Sequence, residues 1–358
     1  MFNHKRLGLA RKRRRLTGKG LAELAGVSAI TVSRLENGEN QPDEETIARL
    51  ARALRYPMEF FFDDDPEEVD TSAVSFRSLT KMSAKERDAA IAAGSLGLQL
   101  TDWVESEFRL PKANVLDLSY ETDPEVAAGS LRQFWSLGDK PIGNVLGLLE
   151  VNGVRVFSLA ENTATVDAFS FWRNERPFVF LNNFKTAEHS IWDSVHELGH
   201  LAMHRHGGTQ PSRPAEREAN QFASAFLMPA NDVRARMPRF ITVDTIIEAK
   251  KRWRVSAMAM AYRLHAIGLL SEWQYKSACI ELGRRGFRSG EPGGIERETS
   301  RIWYKVLSQL WSERRTKSDV ADRLHVPLDE LEGLIWGLAG STMRPERQGS
   351  RGAIRAVK

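Results

Sequence analysis

Two histidines four residues apart, His196 and His200, bracket Glu197 in the pattern H-E-x-x-H. On an α-helix that spacing puts both imidazoles on one face, one turn from each other. Each can then offer a ring nitrogen to the same Zn2+ ion at about 2.0–2.1 Å. Glu197 points at the open side of such an ion, where it can take a proton from water that the metal polarises. Ile191, Val195, Leu198, Leu201 and Ala202 recur at helical spacing, so the segment also has an apolar face to bury. Five of the eight histidines lie between His189 and His206. A pattern with three fixed positions also arises by chance, so the reading turns on whether the chain supplies a third ligand.

Three candidates compete for that place. His204 continues the spacing, but on a straight helix it lies about 12 Å along the axis from His196. His206 stands where H-E-x-x-H-x-x-G-x-x-H would put a third histidine, yet Met203 replaces the glycine that lets the chain turn there. Beyond Gly207-Gly208 and two prolines a helix starts near Ala215, with Ala219, Phe222, Ala223 and Phe226 as its apolar stripe. Glu216 and Asn220 flank that stripe one turn apart. A carboxylate there is costly to bury unless it is paired or bound to metal. Asn220 is placed to orient His196 or His200 from behind. Glu218 lies about 160° around the helix from Glu216, so one of the two faces solvent.

The rest of the chain must position these groups. Its 358 residues, 42% hydrophobic and 27% charged, suit two or three soluble domains. No apolar run approaches the roughly 18 residues of a membrane span, and the N-terminus lacks an apolar signal-peptide core. The lone cysteine, Cys279, cannot form an internal disulfide and fits a reducing, cytoplasmic setting. Charge is uneven. Residues 1–62 carry 12 Lys/Arg against 7 Asp/Glu, with eight bases and no acid in the first twenty.

That first stretch predicts short helices: Lys5–Arg15, one capped by Thr17, Ala29–Glu36 capped by Ser28, and one from Asp43 to Leu54. Gly26-Val27 makes a tight turn between the second and third. Helix, turn, helix of this length is a DNA-reading plan. Arg34 can bind guanine bidentately, and Lys5, Arg6, Arg11, Lys12, Arg13 and Arg14 can neutralise phosphates. The acidic run Asp63-Asp64-Asp65-Pro66-Glu67-Glu68 reads as an exposed linker that would hold the next domain off DNA. Ser83 with Glu86 forms a capping box for a long helix to about Phe108. Helices Pro124–Trp135 and Ile142–Leu149 precede strands at Val154–Leu159, Thr165–Phe171 and Pro177–Asn182. The last of these is read as an edge strand above the site. From Arg284 to Gly294 a loop is expected, then amphipathic helices at Arg301–Trp311, Ser318–Leu324 and Leu328–Leu338, packed on the preceding domain or on another subunit.

Two resemblances sharpen this. Leu21-Ala22-Glu23-Leu24-Ala25-Gly26-Val27-Ser28 and Ser33-Arg34-Leu35-Glu36-Asn37-Gly38 resemble the Cro/C1-type (XRE) helix-turn-helix family. That resemblance implies that Ala29, Ile30 and Arg34 face base edges of a double-stranded operator while Thr17, Lys19, Thr31 and Asn37 touch its backbone. His196-Glu197-Leu198-Gly199-His200, followed by Glu216-x-x-Ala219-Asn220-x-Phe222-Ala223 and Leu227-Met228-Pro229, resembles the ImmA/IrrE zinc metallo-endopeptidases. Asp167-Ala168-Phe169-Ser170 and Phe180-Leu181-Asn182 fit that family's upstream strands. The resemblance implies zinc on His196, His200 and Glu216, Glu197 as base, and a repressor-like protein as substrate. The expected fold is therefore multidomain: an all-α helix-turn-helix domain (1–62), an acidic linker (63–74), an α+β zincin-like metallopeptidase domain (75–288), a mainly helical C-terminal region (295–340), and a basic, disordered tail (341–358). Half-site geometry suggests a homodimer. A regulator or antitoxin-like module whose zincin domain senses or scaffolds without cutting is the rival reading.

Overall fold

The computed structural model describes residues 1–70, the backbone of 75–76, and residues 83–159, 168–205 and 213–339. In the first part, single polar side chains fix where each helix starts. Asn3, Thr17, Ser28 and Asp43 cap α1 (His4–Arg13), α2 (Gly18–Ala25), α3 (Ala29–Glu36) and α4 (Glu44–Leu54) by accepting backbone N–H bonds. Gly26 ends α2 in the left-handed region, φ 65°, which makes the turn into α3. Leu7, Leu21, Val32, Leu35, Ile47, Leu50 and Leu54 fill the centre of this bundle, closed by Phe60 and Phe61 on a 3-10 turn.

Next come β1 (Ser75–Phe76), α5 (Ala84–Glu107), α6 (Pro124–Phe134), α7 (Val145–Val151), β2 (Arg155–Leu159), β3 (Ala168–Arg173), β4 (Arg176–Asn182), α8 (Ala187–Met203) and α9 (Arg213–Leu227). The strands form one sheet in the order β1-β3-β4-β2, with β2 and β4 parallel and the other pairs antiparallel. Helices cover both faces, which explains why β2 and β4 are nearly continuous apolar runs. Phe157, Phe169, Phe171, Phe178 and Phe180 stack on one face. There α5 approaches so closely that a Cβ at Gly97 would sit 2.6 Å from the Phe180 ring. Strand alternation sends Ser170, Val179 and Leu181 to the other face, under α8.

The sheet corrects one expectation. β4 runs between β3 and β2, so Pro177–Asn182 is a central strand and not the edge strand over the site. The strand expected from Thr165 is described only from Ala168, and Asp167 lies outside the described residues.

The chain continues through α10 (Ala230–Arg236), α11 (Val243–Trp253), α12 (Ala257–Ala266), α13 (Glu272–Arg284), α14 (Arg301–Ser312), α15 (Lys317–Arg323) and α16 (Leu328–Ile335). Of these, α10, α11 and α13 were not expected, whereas α12 is the helix that the run Ser256 to Leu264 predicts, with Ser256 as its cap. The loop expected from Arg284 to Gly294 runs on to residue 300, and acids fasten its C-terminal end. Glu298 accepts from the N–H groups of Val145 and Leu146 that open α7, and Glu150 accepts from those of Arg301 and Ile302 that open α14.

The acidic run does not hold the units apart. Asp65 pairs with Lys5 at 2.5 Å, and the Asp64 carbonyl accepts from Arg6 Nε at 2.7 Å. The linker therefore folds back onto α1. On the other side of α1, Arg13 and Arg14 meet Glu330 and Asp329 at the start of α16. The C-terminal helices thus pack on both the helix-turn-helix bundle and strand β2. The tail 341–358 lies outside the described residues. Among the described residues no helix is long and apolar enough to cross a membrane.

Candidate metal centre and helix-turn-helix face

α8 starts at Thr186, whose hydroxyl accepts from His189 N, and it runs buried along the sheet. His196 and His200 sit on the side that faces α9. Gly199 lies between them on that side. A Cβ there would come within 3.1 Å of Phe222 and 3.3 Å of the Ala219 Cα. The missing side chain is what lets α9 lie close enough to deliver its first-turn acid.

That acid is Glu216. Its carboxylate oxygens stand 3.3 Å from His196 Nε2 and 3.3 Å from His200 Nε2, and the two Nε2 atoms are 3.1 Å apart. All three ligand atoms fall within 4.8 Å of one another. Burial pushes His200 down to about 4, so its ring is neutral near pH 7 and keeps a lone pair to give. Burial alone would raise Glu216. The hydrogen bonds and charges of His196 and His200 outweigh it and hold the carboxylate well below its ordinary range. Two buried imidazoles and a carboxylate converging on one point fit a divalent cation, with room for one more ligand. The fit is chemical as well as geometric, because the two facing nitrogens are poor partners for each other without a cation between them.

Glu197 projects sideways toward the sheet. It is fully buried, and its Oε2 accepts from the Ser170 hydroxyl at 2.6 Å. Ser170 was no candidate beforehand. Its place in the alternation of β3 was the available signal, but which helix lay under that face was not readable.

The other candidates separate. His204 is no ligand, since its Nδ1 faces His200 Nδ1 at 3.0 Å and its Nε2 meets Glu218 at 2.9 Å. His206 lies outside the described residues. Asn220 does not reach either histidine. It donates to the Glu216 carbonyl at 2.7 Å and accepts from Trp192 Nε1 at 3.3 Å, so it fastens α9 to α8 and leaves ring orientation to other groups.

In the N-terminal bundle, Thr17, Lys19, Ala29, Ile30, Arg34 and Asn37 are exposed and Thr31 is half-buried, all on α2, α3 or their caps. Ile30, 65% exposed, projects from the first turn of α3 with nothing over it. Thr31 shares a 2.8 Å hydrogen bond with Ser28, and Asn37 donates to Glu39 at 3.0 Å. The phosphate-neutralising set is mostly engaged inside the chain. Lys5, Arg6, Arg13 and Arg14 face Asp65, Asp63, Glu330 and Asp329, and Arg11 pairs with Glu36 at 2.5 Å. Of those six, Lys12 is left without an ion pair among the described residues.

Fold and site together define a helix-turn-helix protein joined to a metallopeptidase-like α+β domain. Residues 7–61 match the helix-turn-helix family, and residues 149–265 match the IrrE N-terminal-like domain, Peptidase M78. The chain carries one domain of each family. Over 50 residues it is also 48% identical to the HTH-type transcriptional repressor RghR of Bacillus subtilis (strain 168). That stretch is 14% of this chain, and the chain spans only 37% of that relative.

Proposed function

We propose that this chain is a DNA-binding transcriptional regulator whose second domain is a zinc-dependent endopeptidase acting on a regulatory protein. The observation that carries the reading is the convergence of His196, His200 and Glu216 on one point. Those three residues would hold the zinc, which when bound there would polarise a peptide carbonyl and acidify water. Glu197 takes the proton from the attacking water as its oxygen bonds to the carbonyl carbon, then returns it to the amine as the C–N bond breaks. Ser170 holds the Glu197 carboxylate against β3 while this happens.

On the other domain, α3 enters the major groove of an operator. Ala29 and Ile30 make apolar contact with thymine methyls, and Arg34 reads guanine. Thr17, Lys19, Thr31 and Asn37 hold the backbone, and a homodimer spans two half-sites. The similarity to the repressor RghR supports this part. The substrate is a repressor-like protein.

Glu197→Gln tests the reading. It keeps zinc and operator binding but removes the base, so new N-termini that wild type generates in its partner disappear. The full burial of Glu197 favours a second reading, in which the domain senses or scaffolds without cutting. Unchanged regulatory output in the Glu197→Gln strain supports that alternative and sinks the protease.

A further inference from the structure

His200 is the centre of a chain of ring contacts that metal ligation alone does not require. Its Nε2 faces the cluster, 3.1 Å from His196 Nε2. Its other nitrogen, Nδ1, lies 3.0 Å from His204 Nδ1, and His204 Nε2 lies 2.9 Å from a Glu218 carboxylate oxygen. His196 is different. Its Nδ1 is buried and has no hydrogen-bond partner among the described residues.

Proton bookkeeping leaves one arrangement. A histidine that gives its Nε2 lone pair to a metal must carry its proton on Nδ1. The His200 Nδ1–H then donates to His204, so His204 Nδ1 must be the bare, accepting nitrogen. Its proton must sit on Nε2, where it donates to Glu218. Every atom in the series finds a partner of the right kind, and the carboxylate end sets the direction of the whole series. With the metal on the other face of His200, no second assignment satisfies all three groups.

We propose that His204 and Glu218 are positioning residues: through the series Glu218–His204–His200 they fix the tautomer and ring plane of His200 and so set metal affinity. The proposal rests on the metallopeptidase reading, because it needs a metal on His200 Nε2. The helix geometry makes it possible. His204 follows His200 by one turn, just where α8 ends, so its ring turns back over His200. Glu218 reaches it from α9, on the side away from the metal ligand Glu216. The Glu218 side chain is 40% exposed and that of His204 22%, so neither holds up the core. Partners of this kind on a metal-bound histidine are worth about 10- to 100-fold in metal affinity.

The test is zinc affinity of the full chain by competition with a chromophoric chelator, with cobalt(II) absorption as a spectroscopic readout. His204→Phe keeps the size of the ring and removes the accepting nitrogen, and it lowers zinc affinity by about 10- to 100-fold. Glu218→Ala lowers it in the same direction, and Glu218→Gln, which still accepts from His204, lowers it less. Because Glu218 acts only through His204, adding Glu218→Ala to His204→Phe costs nothing further. The cobalt band of His204→Phe shifts while the metal-free proteins melt together. Wild-type affinity in His204→Phe, or an additive loss in the double variant, overturns the proposal. If His204→Phe fails to fold, Glu218→Ala decides alone, since its half-exposed side chain is not needed for folding, and wild-type affinity there overturns the proposal. A wild-type chain that takes up no zinc brings down the metallopeptidase reading itself, whereas zinc binding that ignores both substitutions brings down only the series.

Discussion

Glu330→Gln is the sharpest test of how the two units are joined. The Glu330 side chain is 3% exposed and accepts from Arg13 Nε at 2.7 Å and Tyr56 Oη at 3.1 Å, with Arg14 Nη1 also at 3.1 Å. Removing one member of a fully buried pair costs about 3–5 kcal/mol. Here Arg13 and Arg14 keep a solvent edge and Arg14 keeps Asp329, so the charge loss comes to roughly half of that, about 2 kcal/mol. Tyr56, itself buried, keeps an acceptor but a weaker one, which adds a few tenths to about 1 kcal/mol. The seam therefore loses about 2–3 kcal/mol, or about 30- to 150-fold in an equilibrium constant. None of the nine tryptophans lies in residues 1–62, so tryptophan fluorescence is blind to this bundle. Hydrogen exchange of peptides from α1 and α4 is the suitable measurement, because unfolding the docked bundle must also break the seam. Their protection falls by that factor, while β4 is unchanged. Asp329→Asn is the control. Its side chain is 53% exposed, so its ion pair with Arg14 is worth less than about 1 kcal/mol. If Glu330→Gln leaves α1 protection within twofold of wild type, the seam is not held by this carboxylate and the bundle is docked by other contacts.

Three further outcomes follow from the same geometry. Gly199→Val drives α9 away from α8, costs about 1–3 kcal/mol of stability by overpacking, and lowers zinc affinity measured against a chelator; an unchanged affinity would mean that Glu216 does not depend on this close approach. Ser170→Ala removes the donor to Glu197, so stability falls by about 1–3 kcal/mol in chemical denaturation while zinc content in metal analysis stays at that of wild type. Metal-free protein loses stability as pH falls from about 6.5 toward 4, because the unfolded His200 ring binds a proton that the folded ring refuses until about 4. Glu216, held below its ordinary range, adds to the loss below about 4.5. Urea titrations at pH 7, 5.5 and 4.5 check the sign, and a stability that rises on acidification contradicts the burial of that ring.

Local signals made much of this readable from the sequence. Thr17, Ser28, Asp43 and Ser83 are caps because a hydroxyl or carboxylate beside an apolar periodic run has little else to do. The cluster of His196, His200 and Glu216 was legible only in part: i, i+4 spacing puts the two histidines on one face, whereas Glu216 was singled out from Glu218 by the family resemblance. What resisted was everything decided by packing between distant segments. Pro177–Asn182, ending in Asn182-Asn183, was read as an edge strand, but strand order depends on where β2 and β3 pair. Asn220 had the right offset from Glu216, yet the Trp192 indole reached it first. The bases of α1 looked free for phosphate because nothing in residues 1–62 reveals that Glu330, more than 300 positions later, occupies two of them. His204 and Glu218 were each weighed singly as ligands, and only the turn of α9 across α8 makes them partners.

One short helix touches both halves of the molecule. At its start α16 brings Glu330 to Arg13, Arg14 and Tyr56 of the helix-turn-helix bundle. Just past its end the Trp336 carbonyl accepts from Asn183 Nδ2 at 2.9 Å, and Trp336 stacks on Phe184 at 4.5 Å. Asn183 also donates to Ser158 of β2 and accepts from Ser190, in the first turns of α8, and from Arg297. Eight helical residues span about 12 Å, so the seam with the bundle and the entry to α8 are fastened to opposite ends of a single rigid rod. Its placement explains why the C-terminal helices belong to neither neighbour alone: removing them would undock the bundle at one end and leave the buried amide of Asn183 short of an acceptor at the other.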